Sequence, residues 1–160
     1  MPQVDISTLP YRNNVSGIVF KNDKFLLVQR AGWPKNWWKF PQGGIDDGED
    51  NETAMQRELV EELGTDKFKI LSQSSYTNKY DWDYNSIEKA GFRWRGQFQK
   101  YFLVHYLDED DIIKINPKEI QSFKWVKRNE LLRSIDRQEK VFANYKNTIE
   151  NVLKEFKKYF

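Results

Sequence analysis

The segment that decides the fold is residues 43–65, GGIDDGEDNETAMQRELVEELGT. Apolar residues recur in it at the spacing of one helix face: Met55, Leu59 and Leu63. Asp50 or Asn51 is suited to cap the start of this helix, because its side-chain oxygen can accept a hydrogen bond from a free backbone N–H. Gly64 is suited to end it, because glycine readily adopts the left-handed conformation. The pattern therefore predicts a helix between these caps, preceded by a tight glycine turn.

Three glutamates of this helix, Glu58, Glu61 and Glu62, are three and four residues apart and share one face. At roughly 100° per residue, Glu61 lies about 60° to one side of Glu58 and Glu62 about 40° to the other. One interpretation is a solvated acidic face, since like charges at this spacing cost only about 0.2–0.5 kcal/mol in water. The other is a metal site, because partly buried carboxylates take up protons unless a cation lies among them.

The composition limits which metal such a site could hold. The chain has no cysteine and one histidine, which excludes a thiolate site and favours a hard cation bound through oxygen. Mg²⁺ is the expected ion, and Mn²⁺ is also compatible. These ions grip phosphate oxygens and activate water. The three glutamates therefore indicate phosphate chemistry.

The whole chain of 160 residues is expected to form a single domain, 1–160. With 39% apolar and 31% charged residues, it is typical of a folded globular protein rather than a disordered one. Its 26 basic and 24 acidic residues neither demand nor exclude a nucleic-acid partner. No apolar run approaches the roughly 20 residues that span a bilayer, and the N-terminus lacks a signal-peptide pattern. We therefore expect no membrane partner and a cytoplasmic location.

The rest of the chain reads as strands, loops and a closing helix. Strands are predicted over residues 15–20, 25–30, 68–75, 99–106 and 123–126. Residues 76–98 have little periodicity and are interpreted as a long loop or a loose hairpin. Apolar residues at helical spacing predict a helix from about residue 138 to the C-terminus. A strand-rich centre with a middle and a closing helix makes an α+β domain.

Residues 43–65 resemble the Nudix box, Gly-x5-Glu-x7-Arg-Glu-U-x-Glu-Glu-x-Gly-U, in which U is aliphatic. The matching positions are Gly43, Glu49, Arg57, Glu58, Leu59, Glu61, Glu62 and Gly64. Thr65 departs from the box at the last aliphatic position, which concerns packing rather than chemistry. The resemblance implies the Nudix fold, an α/β/α sandwich around a mixed sheet. It also implies metal-dependent hydrolysis of a nucleoside diphosphate linked to another group.

The resemblance further implies roles for the matched residues. The divalent metal would be held by Glu58, Glu61, Glu62 and a backbone carbonyl of Gly43 or Gly44. Glu58 is the favoured residue to help deprotonate the attacking water. Arg57 and Glu49 would pair to orient the helix and its carboxylates.

Four flanking segments are similar to those of one Nudix subgroup, the RNA pyrophosphohydrolases and dinucleoside polyphosphate hydrolases. They are PYRNNVSGIVF at 10–20, WWKFPQGGI at 37–45, WRGQFQKYFLV at 94–104 and KEIQSFKWV at 118–126. By position, Glu119 would join the metal site when substrate binds, or else be an exposed acid in a turn. Arg12 and Arg30 would contact substrate phosphates, or else be ordinary surface charges. Gln97 and Lys100 would approach the polyphosphate, although Lys100 could equally be a solvent-facing strand residue.

Residues 137–142, RQEKVF, depart from the aromatic and basic segment that this subgroup often carries there. Stacking on the base would then fall to an aromatic residue of the 76–98 stretch: Tyr76, Tyr80, Trp82, Tyr84 or Phe92.

Three functions follow as hypotheses. The first is conversion of 5′-triphosphorylated or diphosphorylated RNA ends to 5′-monophosphate. The second is hydrolysis of a dinucleoside polyphosphate such as diadenosine tetraphosphate. The third is a catalytically silent Nudix binding module, whose expected signature, a replaced glutamate in the box, is absent from this sequence.

Overall fold

The structure is a computed structural model that describes residues 4–109, 112–136 and 143–160. Its centre, within these residues, is a six-stranded sheet. The strands are β1 (Tyr11–Lys21), β2 (Lys24–Arg30), β3 (Gln42–Gly44), β4 (Phe68–Asp81), β5 (Gly96–Tyr106) and β6 (Ile120–Lys127). Their order is β4-β5-β1-β2-β6, and the short β3 pairs with β1. Strands β1 and β5 run parallel while the other pairs are antiparallel, so the sheet is mixed as expected.

Helices cover both faces of this sheet. They are α1 (Asn51–Leu63), α2 (Tyr84–Lys89), α3 (Arg128–Ser134) and α4 (Tyr145–Glu155). The apolar stripe of α1, with Met55 at its centre, packs on the face of β1 that carries Val15 and Val19. Helices α3 and α4 pack on the opposite face, where Ile18 and Phe20 lie. Alternate residues of a strand point to opposite faces of the sheet and so contribute to two separate cores. With helices packed on both cores, the arrangement is the predicted α/β/α sandwich. No described helix has the length and apolar character needed to cross a bilayer.

The ends of α1 lie where the sequence predicts them. Asp50 is the N-cap, and its carboxylate accepts a 2.7 Å hydrogen bond from the Thr53 N–H. Gly64 ends the helix with φ +66°, and its N–H bonds the Val60 carbonyl. A side chain at Gly64 would also collide with the Lys114 carbonyl, 2.4 Å from the position of a Cβ. Both ends are therefore set by local chemistry.

The interpretation of residues 76–98 as a long loop is wrong, whereas its alternative, a loose hairpin, is nearer to the structure, because β4 and β5 pair antiparallel from Thr77 and Lys100 to Asp81 and Gly96. Strand β4 continues to Asp81, helix α2 follows, and β5 already begins at Gly96. The cause lies in β4, whose register against β5 shifts between Ile70 and Ser72 and again between Gln73 and Thr77. Each shift interrupts the alternation of inward and outward side chains, so the strand leaves no regular pattern in the sequence.

The closing helix α4 begins at Tyr145, later than the predicted residue 138. Residues 137–142, including the segment that departs from the subgroup, lie outside the described residues. Helix α3 was not predicted. It is seven residues long and follows β6 directly, so its pattern is too short for a periodicity argument.

Candidate active site

Helix α1 directs two of its three glutamates toward the sheet. Glu58 is 9% exposed and Glu62 is 4% exposed, so both carboxylates are largely removed from water. The backbone of Gly43 in β3 lies against Glu58. A Cβ at that glycine would be 1.9 Å from Glu58 Cδ, so no side chain fits there. The glycine of the motif is therefore required by the close approach of a carboxylate.

These groups line a cavity of about 370 Å³ beside the β3 edge of the sheet. Its polar lining comprises the acids Glu58, Glu62 and Glu119, the bases Arg12, Arg30, Lys39 and Lys118, the amides Asn14, Gln42 and Gln97, and the backbone of Gly43 and Gly44. Acids and bases thus lie in one cavity, an arrangement that suits a metal-bound polyphosphate.

Arg57 links helix α1 to the Gly44 backbone at this cavity through hydrogen bonds. Its guanidinium donates to Glu49 from Nε at 2.7 Å and from Nη2 at 2.9 Å, and Nη2 also donates to the Gly44 carbonyl at 2.9 Å. Nη1 donates to Glu58 at 3.0 Å and to Glu61 at 3.2 Å. These hydrogen bonds from Arg57, together with a backbone N–H from Asp46, lower the pKa of Glu49 to about 2. The ion pair expected between Arg57 and Glu49 is therefore present.

The buried carboxylates resist ionisation in the absence of a cation. Burial raises the pKa of Glu58 despite the neighbouring Arg57. Burial raises the pKa of Glu62 to about 8, with the negative charges of Glu58 and Glu119 adding to the effect and Lys39 opposing it. Among the described residues, Glu62 Oε2 has no hydrogen-bond partner. A buried, unpaired carboxylate oxygen in an all-oxygen donor set fits a hard divalent cation.

The third glutamate of the helix is not part of this cavity. Glu61 is exposed, and its carboxylate is turned to Arg57. Accordingly, no three Asp, Glu, His or Cys side chains in the described part of the chain stand close enough to hold an ion as they are. Glu61 would have to exchange its ion pair with Arg57 for the metal. Its assignment as a ligand stays a prediction.

A second cavity, of about 490 Å³, adjoins the first. The two share Arg12, Arg30, Lys39, Gln42 and Gln97. The far wall of the second cavity is formed by the end of β4 and by α2 and contains Asp81, Trp82, Asp83, Ser86, Lys89 and Ala90. The three cations Arg12, Arg30 and Lys39 therefore lie where the carboxylate cavity meets the cavity that contains Trp82.

The NUDIX domain family model matches residues 10–148. The chain belongs to the Nudix family. It is therefore a Nudix hydrolase, and the enzymes of this family depend on a divalent metal.

Curated Nudix relatives are named RNA pyrophosphohydrolase. The protein of Gluconobacter oxydans (strain 621H) is 41% identical over 127 residues, covering 76% of this chain and 75% of its own. The protein of Campylobacter jejuni subsp. jejuni serotype O:23/36 (strain 81-176) is 37% identical over 133 residues, covering 79% of this chain and 83% of its own.

Solved structures confirm the Nudix fold. A C. elegans Ap4A hydrolase in a binary complex aligns with a TM-score of 0.66 at 22% identity, covering 92% of this chain and 96% of that one. The E. coli dihydroneopterin triphosphate pyrophosphohydrolase aligns with a TM-score of 0.60 at 17% identity, covering 84% and 99%.

The structure separates Gln97 and Lys100, which the sequence analysis placed together near the polyphosphate. Gln97 and Lys100 are three apart on β5 and therefore face opposite sides of the sheet. Gln97 lines both cavities, whereas Lys100 lines neither and lies over the Phe98 ring, with Nζ 5.5 Å from its centroid. A phosphate contact from Lys100 is therefore not supported by its position.

Of the aromatic residues proposed to stack on a base, Trp82 lines the second cavity, whereas Phe92 lines neither of the two. Tyr80 belongs to the core at 5% exposure, with its hydroxyl donating to Gln97. Tyr76 and Tyr84 are exposed at 42% and 48% and lie outside both cavities.

Sequence reasoning missed the amides beneath the Nudix site. Gln99, which is fully buried, donates to Gln42 at 2.8 Å and to Asn14 at 3.2 Å, and accepts from the Tyr101 hydroxyl at 2.9 Å. This network fixes the residue that precedes Gly43. The presence of Gln42 and Gln99 in the two resembling segments was a signal, but their pairing depends on the parallel register of β1 and β5.

Proposed function

We propose that this Nudix hydrolase converts 5′-triphosphorylated or diphosphorylated RNA ends to 5′-monophosphate. The observation that carries the proposal is the row of Arg12, Arg30 and Lys39 shared by the two cavities. A polyphosphate laid across these cations has one end at the carboxylates and the other at Trp82. The curated relatives named RNA pyrophosphohydrolase support RNA as the carrier of that polyphosphate.

The carboxylate end is proposed to hold the metal. Its ligands would be Glu58, Glu62 and Glu119 with the carbonyl of Gly43 or Gly44, and Glu61 once it leaves Arg57. The all-oxygen set favours Mg²⁺, with Mn²⁺ as the alternative. A bound ion of this kind neutralises phosphate oxygens and makes water a stronger acid.

The chain's own groups would do the remaining work. Glu58 lies at the cavity wall, where it would accept a proton from the attacking water. Arg57 restrains Glu58 and the Gly44 carbonyl at the same time. Arg12 and Arg30 would bind phosphate oxygens, and Trp82 would offer a flat apolar surface to the nucleobase.

The RNA beyond its first nucleotide needs a surface of cations and rings. Such a basic–aromatic surface is formed by Tyr11, Lys79, Arg95, Phe98 and Lys100. Lys79 Nζ lies 4.8 Å from the Tyr11 ring centroid and 5.4 Å from that of Phe98, and the Arg95 guanidinium lies 5.1 Å from that of Tyr11. One acid, Asp81, pairs with Arg95 at 2.9 Å. Alternating cations and rings suit a single strand of any sequence.

Trp94, the residue before Arg95 of this surface, lies beside Arg12 of the cavity. The Arg12 guanidinium lies 5.2 Å from the Trp94 ring centroid and that of Arg93 lies 4.3 Å from it. Arg12 also lines both cavities. An RNA chain leaving the phosphate site would therefore meet Trp94 and Arg93 first. An RNA substrate agrees with the cytoplasmic location expected from the sequence.

Hydrolysis of a dinucleoside polyphosphate is the second candidate. The cavity beside Trp82 favours it, because that space could enclose one nucleoside of such a substrate. The two candidates share the metal site and differ in whether the substrate continues along the basic–aromatic surface.

A competition assay tests the proposal. Equal concentrations of 5′-triphosphorylated RNA and diadenosine tetraphosphate compete in one tube, with Mg²⁺ and then with Mn²⁺, and products are resolved by charge. Preferential conversion of the RNA, with a rate that falls steeply as salt rises, is expected. Replacing Lys79 by Ala should reduce the salt slope by about 1 for RNA and leave the dinucleotide reaction unchanged. Preferential cleavage of the dinucleotide would refute RNA-end processing.

A further inference from the structure

Lys39 occupies an unusual position at the junction of the two cavities. Its backbone is fixed next to β2, since its N–H donates to the Val28 carbonyl at 3.0 Å and its carbonyl accepts from the Val28 N–H at 2.8 Å. Its residue is 6% exposed, and it lines both cavities. In the motif Trp-x-Phe-Pro-Gln-Gly-Gly it is the unspecified residue, so the resemblance assigns it no role.

The Lys39 side chain is largely buried, and its ammonium has no acceptor among the described residues. In the part of the chain that the structure describes, no carboxylate or carbonyl forms an ion pair or hydrogen bond with Nζ. The ammonium lies over the Trp33 ring, with Nζ 5.6 Å from its centroid. A buried ammonium is expensive unless it is paired and hydrogen-bonded. An ammonium that lacks an acceptor in the protein and lines a cavity can be neutralised by an anion that binds in that cavity.

We propose that Lys39 is a phosphate-binding residue that holds the substrate where its polyphosphate crosses from the carboxylate cavity to the Trp82 cavity. This inference rests on the proposed function, because it needs a polyphosphate at that junction. The inference adds a phosphate-binding residue that is more buried than Arg12, which is half-buried, and Arg30, which is exposed. Because its side chain is largely buried, the ammonium would interact with phosphate more strongly than a surface lysine does.

A competing account makes Lys39 only a counter-charge for the nearby Glu62. The two accounts differ once metal is bound. A divalent cation at Glu62 supplies the compensating charge itself and adds a second positive charge near Lys39. If Lys39 only neutralises the charge of Glu62, it would contribute nothing to analogue binding once the metal is bound. A phosphate ligand would instead become more important, because the anion relieves the repulsion between the metal and the ammonium.

The test measures anion binding and not turnover. The probe is a triphosphate analogue with methylene bridges, which cannot be hydrolysed, titrated by calorimetry into the full chain with Mg²⁺ in excess over protein and analogue. The variants are Lys39→Met and the control Lys124→Met. Lys124 also lies over a tryptophan of the same loop, with Nζ 4.4 Å from the Trp38 ring centroid, but it lines neither cavity.

We expect Lys39→Met to bind the analogue about 10- to 100-fold more weakly, the usual worth of a charged hydrogen bond. Without ligand it should unfold at the same or a higher temperature than the parent, because an unpaired buried charge has been removed. Mg²⁺ affinity should be unchanged or tighter. Lys124→Met should bind the analogue like the parent. Lys39→Gln provides the same comparison should the Met variant not fold.

Unchanged analogue affinity in Lys39→Met or Lys39→Gln would overturn the inference, and a lower unfolding temperature in the same variant would leave Lys39 as a counter-charge. The analogue carries no nucleoside, so this result does not depend on whether RNA is the substrate. Failure of RNA-end processing in the competition assay is thereby distinguishable from failure of the Lys39 assignment.

Discussion

Replacing Gly43 by Ala tests whether the position of Glu58 matters for catalysis. The new Cβ would be 1.9 Å from Glu58 Cδ, whereas real Cβ contacts stay beyond 3.0 Å, so the carboxylate or the β3 backbone must move by roughly 1.1 Å (3.0 − 1.9). Gly43 has no positive φ, so the substitution adds no backbone strain of its own. A displacement of about 1 Å at reacting groups costs on the order of 10²-fold in rate. Overpacking of this size lowers the free energy of unfolding by about 1–3 kcal/mol.

Single-turnover hydrolysis of 5′-triphosphorylated RNA is the assay, with Mg²⁺ affinity measured on the same variant. Gly17→Ala is the matched control, because its added methyl would meet Met55 and Val104 at an ordinary 3.4 Å. The control should keep activity within a few-fold of the parent. A folded Gly43→Ala protein with parental rate and metal affinity would refute the reasoning, since Glu58 could then not be needed where the structure has it.

Four further outcomes are expected. Gly44→Ala places a Cβ 2.3 Å from Arg12 Nη2, the far end of a flexible side chain, so it should raise KM more than it lowers kcat; the opposite split in steady-state kinetics would contradict a phosphate role for Arg12. Glu58→Gln should fold normally by circular dichroism yet lose at least about 10²-fold in rate, and near-full activity would exclude it as ligand or base. Trp82→Ala should raise KM for RNA by roughly 5- to 100-fold if the base stacks there, whereas Tyr76→Ala, outside both cavities, should not. Glu49→Gln should reduce stability at neutral pH; because the pKa of Glu49 is lowered from 4.5 to about 2, the difference from the parent in urea unfolding should be full above pH 4.5 and shrink as the pH falls toward 2.

Features that depend on neighbours in the sequence were predictable. Helix α1 begins and ends as expected because its caps and its apolar stripe are local. The pair of Arg57 with Glu49 is near-local too, since the two residues are eight apart in the sequence. Together these local signals were enough to indicate the family and the fold.

Features that depend on strand register or on side-chain conformation could not be predicted from the sequence. Lys100 follows Gln97 in a motif, and the sequence left open whether it approaches the polyphosphate or is a solvent-facing strand residue; strand alternation turns it to the face opposite Gln97. Glu61 shares a helix face with Glu58 and Glu62, and the sequence did not reveal that its carboxylate pairs with Arg57 in the structure, so its place in the metal site stays a prediction. The importance of Lys39 depends on a loop that folds back on β2, which no periodicity reveals.

The parallel pairing of β1 with β5 has a consequence for how the site comes into being. Arg12 lies opposite Gln97, and Asn14 bonds Gln99 across 85 residues of chain. Contacts of such long range form slowly, because the intervening segment must be closed into a loop first. Helix α1 carries its caps and its apolar stripe within its own segment and needs no such closure. A chain that already carries its carboxylates would thus have no complete phosphate site until β5 pairs with β1, so hydrolysis would depend on that long-range pairing.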